Sequence, residues 1–294
     1  MNNVLILGGA GRVGQFMAKI LEPHTSAITI ADLVAPPPQY RHYLLSALDV
    51  VEHRSDILQE NTTIVFALAE DLAIATLESL SRKHSPVEVI INTCSIQEAF
   101  HAKTAVLFPG VVSVGVNFMF SPDLDCRGRS VAVCEYRQSK AGELLETILS
   151  HNEMEVAKVA PAEHDELMAV CQSLPHAAIL AFALALQRSG FDIETLNALS
   201  PPPMKAMLSM VARVLRNSPE TYWDIQKYNA GAQQQRDQMI SSLGLLTDLS
   251  LENSSNNFSD ELCKVRQYLG KHLQIYTDAS AQFLDVLNRT RIIS

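Results

Sequence analysis

The sequence predicts an α/β chain: an N-terminal, doubly wound, mostly parallel sheet followed by an all-helical region. Three observations carry this. Short apolar runs alternate with helical stretches up to about residue 159, a glycine-rich turn joins the first run to the first helix, and beyond about residue 160 strand signals give way to long helical patterns. The expected division is 1–159 for the sheet domain and 160–294 for a helical domain, in keeping with a length of 294 residues.

Val4–Leu7 is a short apolar run of the kind that forms a buried strand, and Gln15–Leu21 has helical periodicity. Between them lies Gly8-Gly9-Ala10-Gly11-Arg12-Val13-Gly14, in which Gly9, Gly11 and Gly14 fit G-x-G-x-x-G. In a Rossmann-type dinucleotide fold the first glycine permits a tight turn. The second lets backbone approach a pyrophosphate at the helix N-terminus, and the third lets helix and strand pack closely. A second strand, Ala27–Ala31, ends at Asp32, eighteen residues after Gly14. An acid there accepts hydrogen bonds from a ribose diol and repels a 2′-phosphate, which favours NAD over NADP, although Arg41 in the next segment could soften that preference. The expected cofactor contacts are Gly9, Ala10, Gly11, Arg12, Val13, Gly14 and Asp32.

The alternation continues with strands at Thr63–Leu68, Val87–Asn92 and Val111–Val116 and a helical stretch at Asp71–Arg82. Ser130–Cys134 and Met154–Val159 are further strands, separated by a helix at Ser139–Ser150. Ligands of such sheets bind beyond the carboxyl ends of the strands. Ser95 and Asn117 stand at such ends, either as cleft residues or as caps and turn formers. Arg127 and Arg129 are the basic pair nearest the cleft and are candidate donors to an anionic substrate.

In the second half, Glu163–Gln187 reads as one helix bent at Pro175, Pro202–Arg216 as another, and Ser218-Pro219 as the start of a helix reaching about Leu246. Asn253–Ser259 reads as a polar loop and Asp260–Ile292 as a final long helix. Ala162–His176 places His164 between Glu163 and Asp165 and leads into the most apolar segment of the chain. A histidine flanked by carboxylates after a dinucleotide fold is a candidate acid–base group. His176 lies twelve residues on, ~18 Å along an unbroken helix, and is a structural or substrate-pocket residue. Cys94 and Cys171 read as packing residues.

Composition bounds the alternatives. A net charge of −9 with no basic run argues against nucleic acid. Five scattered cysteines fit free thiols in a reducing compartment and show no metal-ligand spacing. The N-terminus enters a strand at once rather than a signal peptide. The apolar run Ala177–Leu186 is about half of the ~20 residues a bilayer span needs. A cytoplasmic protein is expected.

At Glu163-His164-Asp165-Glu166-Leu167-Met168-Ala169 and Leu174-Pro175-His176-Ala177 the sequence resembles the prephenate dehydrogenase family, which includes arogenate and 4-amino-4-deoxyprephenate dehydrogenases. It looks closest to the dehydrogenase portion of the bifunctional enterobacterial chorismate mutase–prephenate dehydrogenase. The likeness covers nearly the whole chain, including the glycine loop, the strand leading to Ser95, Phe120-Ser121-Pro122-Asp123, Ala198–Ile225 and the helical tail.

The resemblance implies an NAD-dependent oxidative decarboxylation of prephenate or a close analogue, with NADP as the alternative cofactor, in the biosynthesis of tyrosine or an aromatic-derived secondary metabolite. It also implies a homodimer through the helical half. Neutral His164 would bind the C4 hydroxyl and take its proton as hydride leaves C4. Ser95 would hydrogen-bond substrate hydroxyl and histidine, and Asp165 would orient His164 or hold the helix start. Arg129 falls where the closest relatives carry a substrate-binding lysine.

The departures concern the substrate. The family's His-Pro-Met-x-Gly is here Asn117-Phe118-Met119-Phe120-Ser121, the lysine after the family serine is Gln97, and the carboxylate-gripping arginine is Gly231, with Lys227 a turn earlier and Arg236 further on. Asn117, Arg127, Arg129, His176 and Lys227 are the substrate-binding candidates. Two other readings compete. One is a β-hydroxyacid dehydrogenase relying on a lysine such as Lys205 or Lys227. The other is a non-catalytic dinucleotide sensor.

Overall fold

The computed structural model describes residues 2–251 and 255–289. The chain divides into two compact units, Met1–Met168 with Lys227–Ala230, and Ala169–Gln226 with Gly231–Ser294.

The first unit is an eight-stranded sheet. Its elements in order are β1 (Asn3–Leu7), α1 (Arg12–Leu21), β2 (Ala27–Asp32), β3 (Arg41–Leu44), α2 (Ala47–His53), α3 (Ser55–Glu60), β4 (Thr63–Phe66), α4 (Glu70–Leu80), β5 (Val89–Asn92) and α5 (Glu98–Leu107). Then come β6 (Val112–Phe118), β7 (Ser130–Cys134), α6 (Lys140–His151), β8 (Glu155–Val159) and α7 (Pro161–Met168). The strand order is β3-β2-β1-β4-β5-β6-β7-β8. β1 to β6 are parallel, and the reversal of order at β1 and β4 is the switch point of a doubly wound sheet.

Alternate strand residues feed the two faces. Val4, Ile6 and Ile30 pack with Met17 of α1 and Leu145 and Ile148 of α6. Leu5, Leu7, Ile64 and Phe66 pack on the other face with Val50, Ile57, Leu77 and Phe100 from α2 to α5. Both faces are covered, which is why these strands read as unbroken apolar runs.

β7 runs antiparallel to β6, and β8 parallel to β7. Val159 is therefore level with Cys134 and Gly115, three residues short of the end of β6 at Phe118. The strand that leads into the histidine segment ends away from the carboxyl edge of the parallel strands, and α7 carries His164 back towards it. The unit accordingly extends past the composition shift near residue 160, because the first turns of this helical stretch are tied to the sheet.

The second unit is helical: α8 (Leu174–Gln187), α9 (Ile193–Leu199), α10 (Pro202–Leu215), α11 (Pro219–Tyr228), α12 (Ala232–Leu251), α13 (Ser255–Leu269) and α14 (His272–Arg289), with the last residues of α11 counted in the first unit. α8 packs against α10 and α12, and α14 against α10.

Three expected helices are subdivided. Glu163–Gln187 is interrupted by a π-helical turn at Ala169–Ser173. Pro175 has no N–H for the carbonyl four residues back and its ring crowds that carbonyl, so the widened turn accommodates it. The helix from Pro219 stops at Tyr228 and restarts at Ala232, across Asn229-Ala230-Gly231. The last long helix breaks at Gly270, which takes a positive φ of 51°. The expected loop Asn253–Ser259 is helical from Ser255 onward, and its first residues, like the end expected at Ile292, lie outside the described residues. Counted as one run, Pro161–Gln187 is long and apolar enough to cross a membrane by length and composition. The length argument from Ala177–Leu186 therefore does not extend to the whole helical run.

Candidate active site

The glycine loop connects β1 to α1. Gly8, not Gly9, makes the left-handed turn, with φ 78°, and its amide donates to the carbonyl of Ala31. A Cβ on Gly9 would lie 2.6 Å from Ile30 Cγ2, and one on Gly14 2.3 Å from the Gly8 carbonyl oxygen. Both glycines are demanded by packing within the chain. Gly11 differs: a Cβ there would meet only the Gly8 oxygen, at 3.3 Å. It is the exposed N-cap of α1, with no side-chain cap and no acid in the first turn. A bare backbone at an uncapped helix N-terminus fits a pyrophosphate group.

Asp32 closes β2, its carboxylate accepting from the backbone amides of Ala10 at 2.9 Å and Val34 at 3.2 Å. The acid expected at the ribose thus also braces the glycine loop. Arg41 is engaged elsewhere. It pairs with Thr29, three residues (~10 Å) from the Asp32 end of β2, and is held by Glu60 and Tyr43. Arg12 makes an exposed ion pair with Asp123, at 3.0 Å. Val13 packs against the core.

The loop after β5 is pinned from several sides. Glu70 accepts from the amides of Ser95 and Ile96, and Asn92 accepts from the amide of Cys94. Gln97, fully buried, donates its side-chain amide to the Cys94 carbonyl. Gly115 on β6 leaves the space that Gln97 and His101 fill, since a Cβ there would overlap the Gln97 side chain. The Ser95 hydroxyl makes no hydrogen bond among the described residues, and none joins Ser95 to His164 there.

His164 is 1% exposed. Its Nδ1 lies 2.8 Å from Asp165 Oδ1, and its Nε2 lies 3.0 Å from the side-chain nitrogen of Asn117. A carboxylate only accepts, so Nδ1 carries the hydrogen, and the neutral ring's Nε2 lone pair accepts from the Asn117 amide. Asp165 also accepts from the backbone amides of Gln97 at 2.8 Å and Glu98 at 2.9 Å. Its carboxylate thus caps α5 from another element while orienting His164. Asn229 donates to the Asp165 carbonyl, which accounts for Lys227–Ala230 belonging with the sheet.

Both ring nitrogens of His164 are thus engaged and the ring is buried. Asn117 is the next-to-last residue of β6.

Behind this array lies a polar cluster that sequence reasoning missed. His101 is fully buried, with Nδ1 2.9 Å from Ser113 Oγ and Nε2 enclosed without a partner. Burial pushes its pKa down to about 4, against a raising influence from Asp165. Tyr136 donates to Glu98, and burial followed by that carboxylate pushes the phenol up to about 12. Only the spacing of Gln97 and His101 on one helical face could have marked them.

Arg127 is committed to Asp125 in the loop before β7, at 2.6 Å, and Arg129 donates to the Asp125 carbonyl. Lys227 is exposed beside the Tyr228 ring. His176 belongs to the helical unit, edge-on to Tyr222 with ring centroids 4.9 Å apart. Burial lowers its pKa, and its Nδ1 is enclosed without a partner. Among the described residues no group of three or more His, Cys, Asp or Glu could hold a metal ion.

A glycine cradle heading α1, an acid closing β2 and a carboxylate-oriented imidazole by β6 define an oxidoreductase that uses a nicotinamide dinucleotide. The profile of the prephenate dehydrogenase dimerization domain matches residues 160–265. The chain is 30% identical over 271 residues to the 4-amino-4-deoxyprephenate dehydrogenase of Streptomyces pristinaespiralis, covering 91% of each protein. It is 24% identical to the T-protein of Enterobacter agglomerans, over 98% of this chain and 73% of that one. In fold it is similar to the prephenate dehydrogenase of A. aeolicus solved with hydroxyphenyl propionate and NAD+, with a TM-score of 0.71 and 18% identity over 94% of this chain and 98% of that one. The arogenate dehydrogenase of Synechocystis gives a TM-score of 0.63 at 15% identity, over 94% and 100%. The chain belongs to the prephenate dehydrogenase family, oxidoreductases that carry out NAD(P)-dependent oxidative decarboxylation of prephenate and its analogues.

Proposed function

We propose that this protein oxidatively decarboxylates a prephenate-type cyclohexadiene, with Asp165, His164 and Asn117 forming the polar array at the reacting carbon. The Asn117–His164–Asp165 chain beside the carboxyl end of β6 carries this reading. The nicotinamide, when bound, supplies the hydride acceptor. Gly9, Ala10, Gly11, Arg12, Val13 and Gly14 form its phosphate cradle, and Asp32 receives the ribose and favours NAD. Ser95, whose hydroxyl is unengaged, stands after β5 for the substrate. Asp165 fixes the tautomer of His164, which fixes the amide of Asn117. Arg129 and Lys227, on exposed segments, are the candidates to meet substrate carboxylates in place of the arginine replaced by Gly231. His176 is kept as a substrate-binding residue. Arg127, already paired, is left out.

The protein acts as a homodimer in the cytoplasm. Among its described residues the helical unit encloses only a few apolar side chains, such as Ala177, Val214, Ile225 and Leu249, and leaves Leu215, Trp223, Ile240, Leu243, Ile275 and Val286 exposed. Such a surface calls for a partner, and a second copy covers it in this reading.

The test is reduced-cofactor absorbance with NAD or NADP and a panel of prephenate, arogenate and 4-amino-4-deoxyprephenate. Turnover of at least one ring substrate, with NAD preferred, is expected. Cofactor binding without turnover on the whole panel contradicts the reading.

A further inference from the structure

We infer that Asn117 selects the substituent at the ring carbon that loses hydride, favouring an amine over a hydroxyl. This rests on the dehydrogenase reading above.

The direction of the hydrogen bonds carries the argument. Asp165 accepts from His164 Nδ1, and His164 Nε2 accepts from the Asn117 amide nitrogen. The chain of donors runs one way and leaves Asn117 Oδ1 over. That oxygen has no hydrogen-bond partner among the described residues and is not one of the enclosed unpartnered atoms. It is an acceptor at the carboxyl end of β6, where ligands of such sheets bind.

An amide oxygen accepts a hydrogen bond but is too weak a base to hold a proton. This separates two kinds of substrate. When hydride leaves a carbon bearing a hydroxyl, positive charge grows on an oxygen that stabilises it poorly unless a base draws off the hydroxyl proton. An amine carries the charge on nitrogen and needs only an acceptor for one N–H. The family's histidine at this position suits the first case and Asn117 the second.

The step balances without a protein base. The C4–H bond breaks and leaves with its electron pair as hydride to the oxidised nicotinamide. The bond from the ring to its carboxylate breaks, its pair completes the aromatic ring, and carbon dioxide departs. The free amine keeps both protons as an aryl amine, and no net proton is released.

The experiment compares kcat/KM for 4-amino-4-deoxyprephenate and prephenate in the native protein, Asn117→His and Asn117→Ala. Calorimetry of 3-(4-aminophenyl)propionate against 3-phenylpropionate supplies a readout free of turnover. The native protein is expected to favour the amine at least tenfold, and Asn117→His to move that ratio at least tenfold towards the alcohol. The native protein should bind the amino compound about tenfold more tightly than the unsubstituted one, as one hydrogen bond supplies, and Asn117→Ala should erase the difference. A native preference for the alcohol, or a ratio and binding difference indifferent to residue 117, overturns the proposal while leaving the dehydrogenase reading intact. A native protein that binds cofactor but turns over neither ring overturns both.

Discussion

Asn117 donates its side-chain amide to Nε2 of His164 at 3.0 Å, so the imidazole is committed at both nitrogens before any substrate arrives. The buried histidine orients an amide, and the acid beside it is as much a structural clamp as an orienting group.

Asp165→Asn separates these roles. One amide oxygen cannot accept from two backbone amides and the imidazole together, and hydrogen bonds to a charged group are worth about 1.5–3 kcal/mol each. Denaturant unfolding should show a loss of at least about 2 kcal/mol, and kcat should fall on the order of 100-fold or more through the wrong tautomer. A variant with native stability and native kcat would remove Asp165 from the account.

The glycines of the loop should divide by function. Gly14→Ala brings a Cβ against the Gly8 carbonyl and should cost about 3 kcal/mol of stability. Gly11→Ala meets little inside the protein. Its thermal midpoint should stay within about 2 °C of native, while calorimetry shows at least tenfold weaker NAD binding. Unchanged NAD affinity in Gly11→Ala would place the pyrophosphate elsewhere.

His101 ties stability to pH. Burial depresses its pKa to about 4 from 6.5, so below pH 6.5 the unfolded chain binds a proton that the folded one refuses. Stability should therefore fall as pH drops from 6.5 to 4, by roughly 3 kcal/mol at full extent. Asp165, His164, Ser113 and the Tyr136 ring are the groups around it. Thermal midpoints between pH 7 and 5 should decline less steeply in His101→Gln, and an unaltered slope would assign the dependence to another group.

Arg127→Ala should change kcat/KM less than about threefold, because its guanidinium is taken by Asp125 in an exposed loop and such pairs contribute little. A tenfold loss would return Arg127 to the substrate site.

Much of the sheet is visible in the sequence because its strands are buried on both faces: Val4–Leu7, Ala27–Ala31 and Ser130–Cys134 leave unbroken apolar signatures. β3 leaves none, since Arg41–Leu44 is a mostly exposed edge strand. The helix breaks at Asn229–Gly231 and Gly270 are punctuated only by single weak breakers. His164 and Asp165 stand out as a pair, but their partners do not. Asn117 and Gln97 lie 47 and 68 residues away from them in sequence, and only the folded sheet brings them together. The reversal of β7 and β8, which decides where α7 must run, depends on strand pairing that periodicity cannot report.

In the proposed reaction, oxidation at the ring and loss of its carboxylate are a single event served by the Asp165–His164–Asn117 array. The most direct measurement follows reduced cofactor and carbon dioxide together, from a substrate labelled with 13C in the ring carboxylate, in the native protein and in His164→Asn. The account predicts one carbon dioxide per reduced nicotinamide in the native protein and at least a 100-fold loss of both in the variant. Reduced cofactor without carbon dioxide, or unimpaired turnover in His164→Asn, would contradict it.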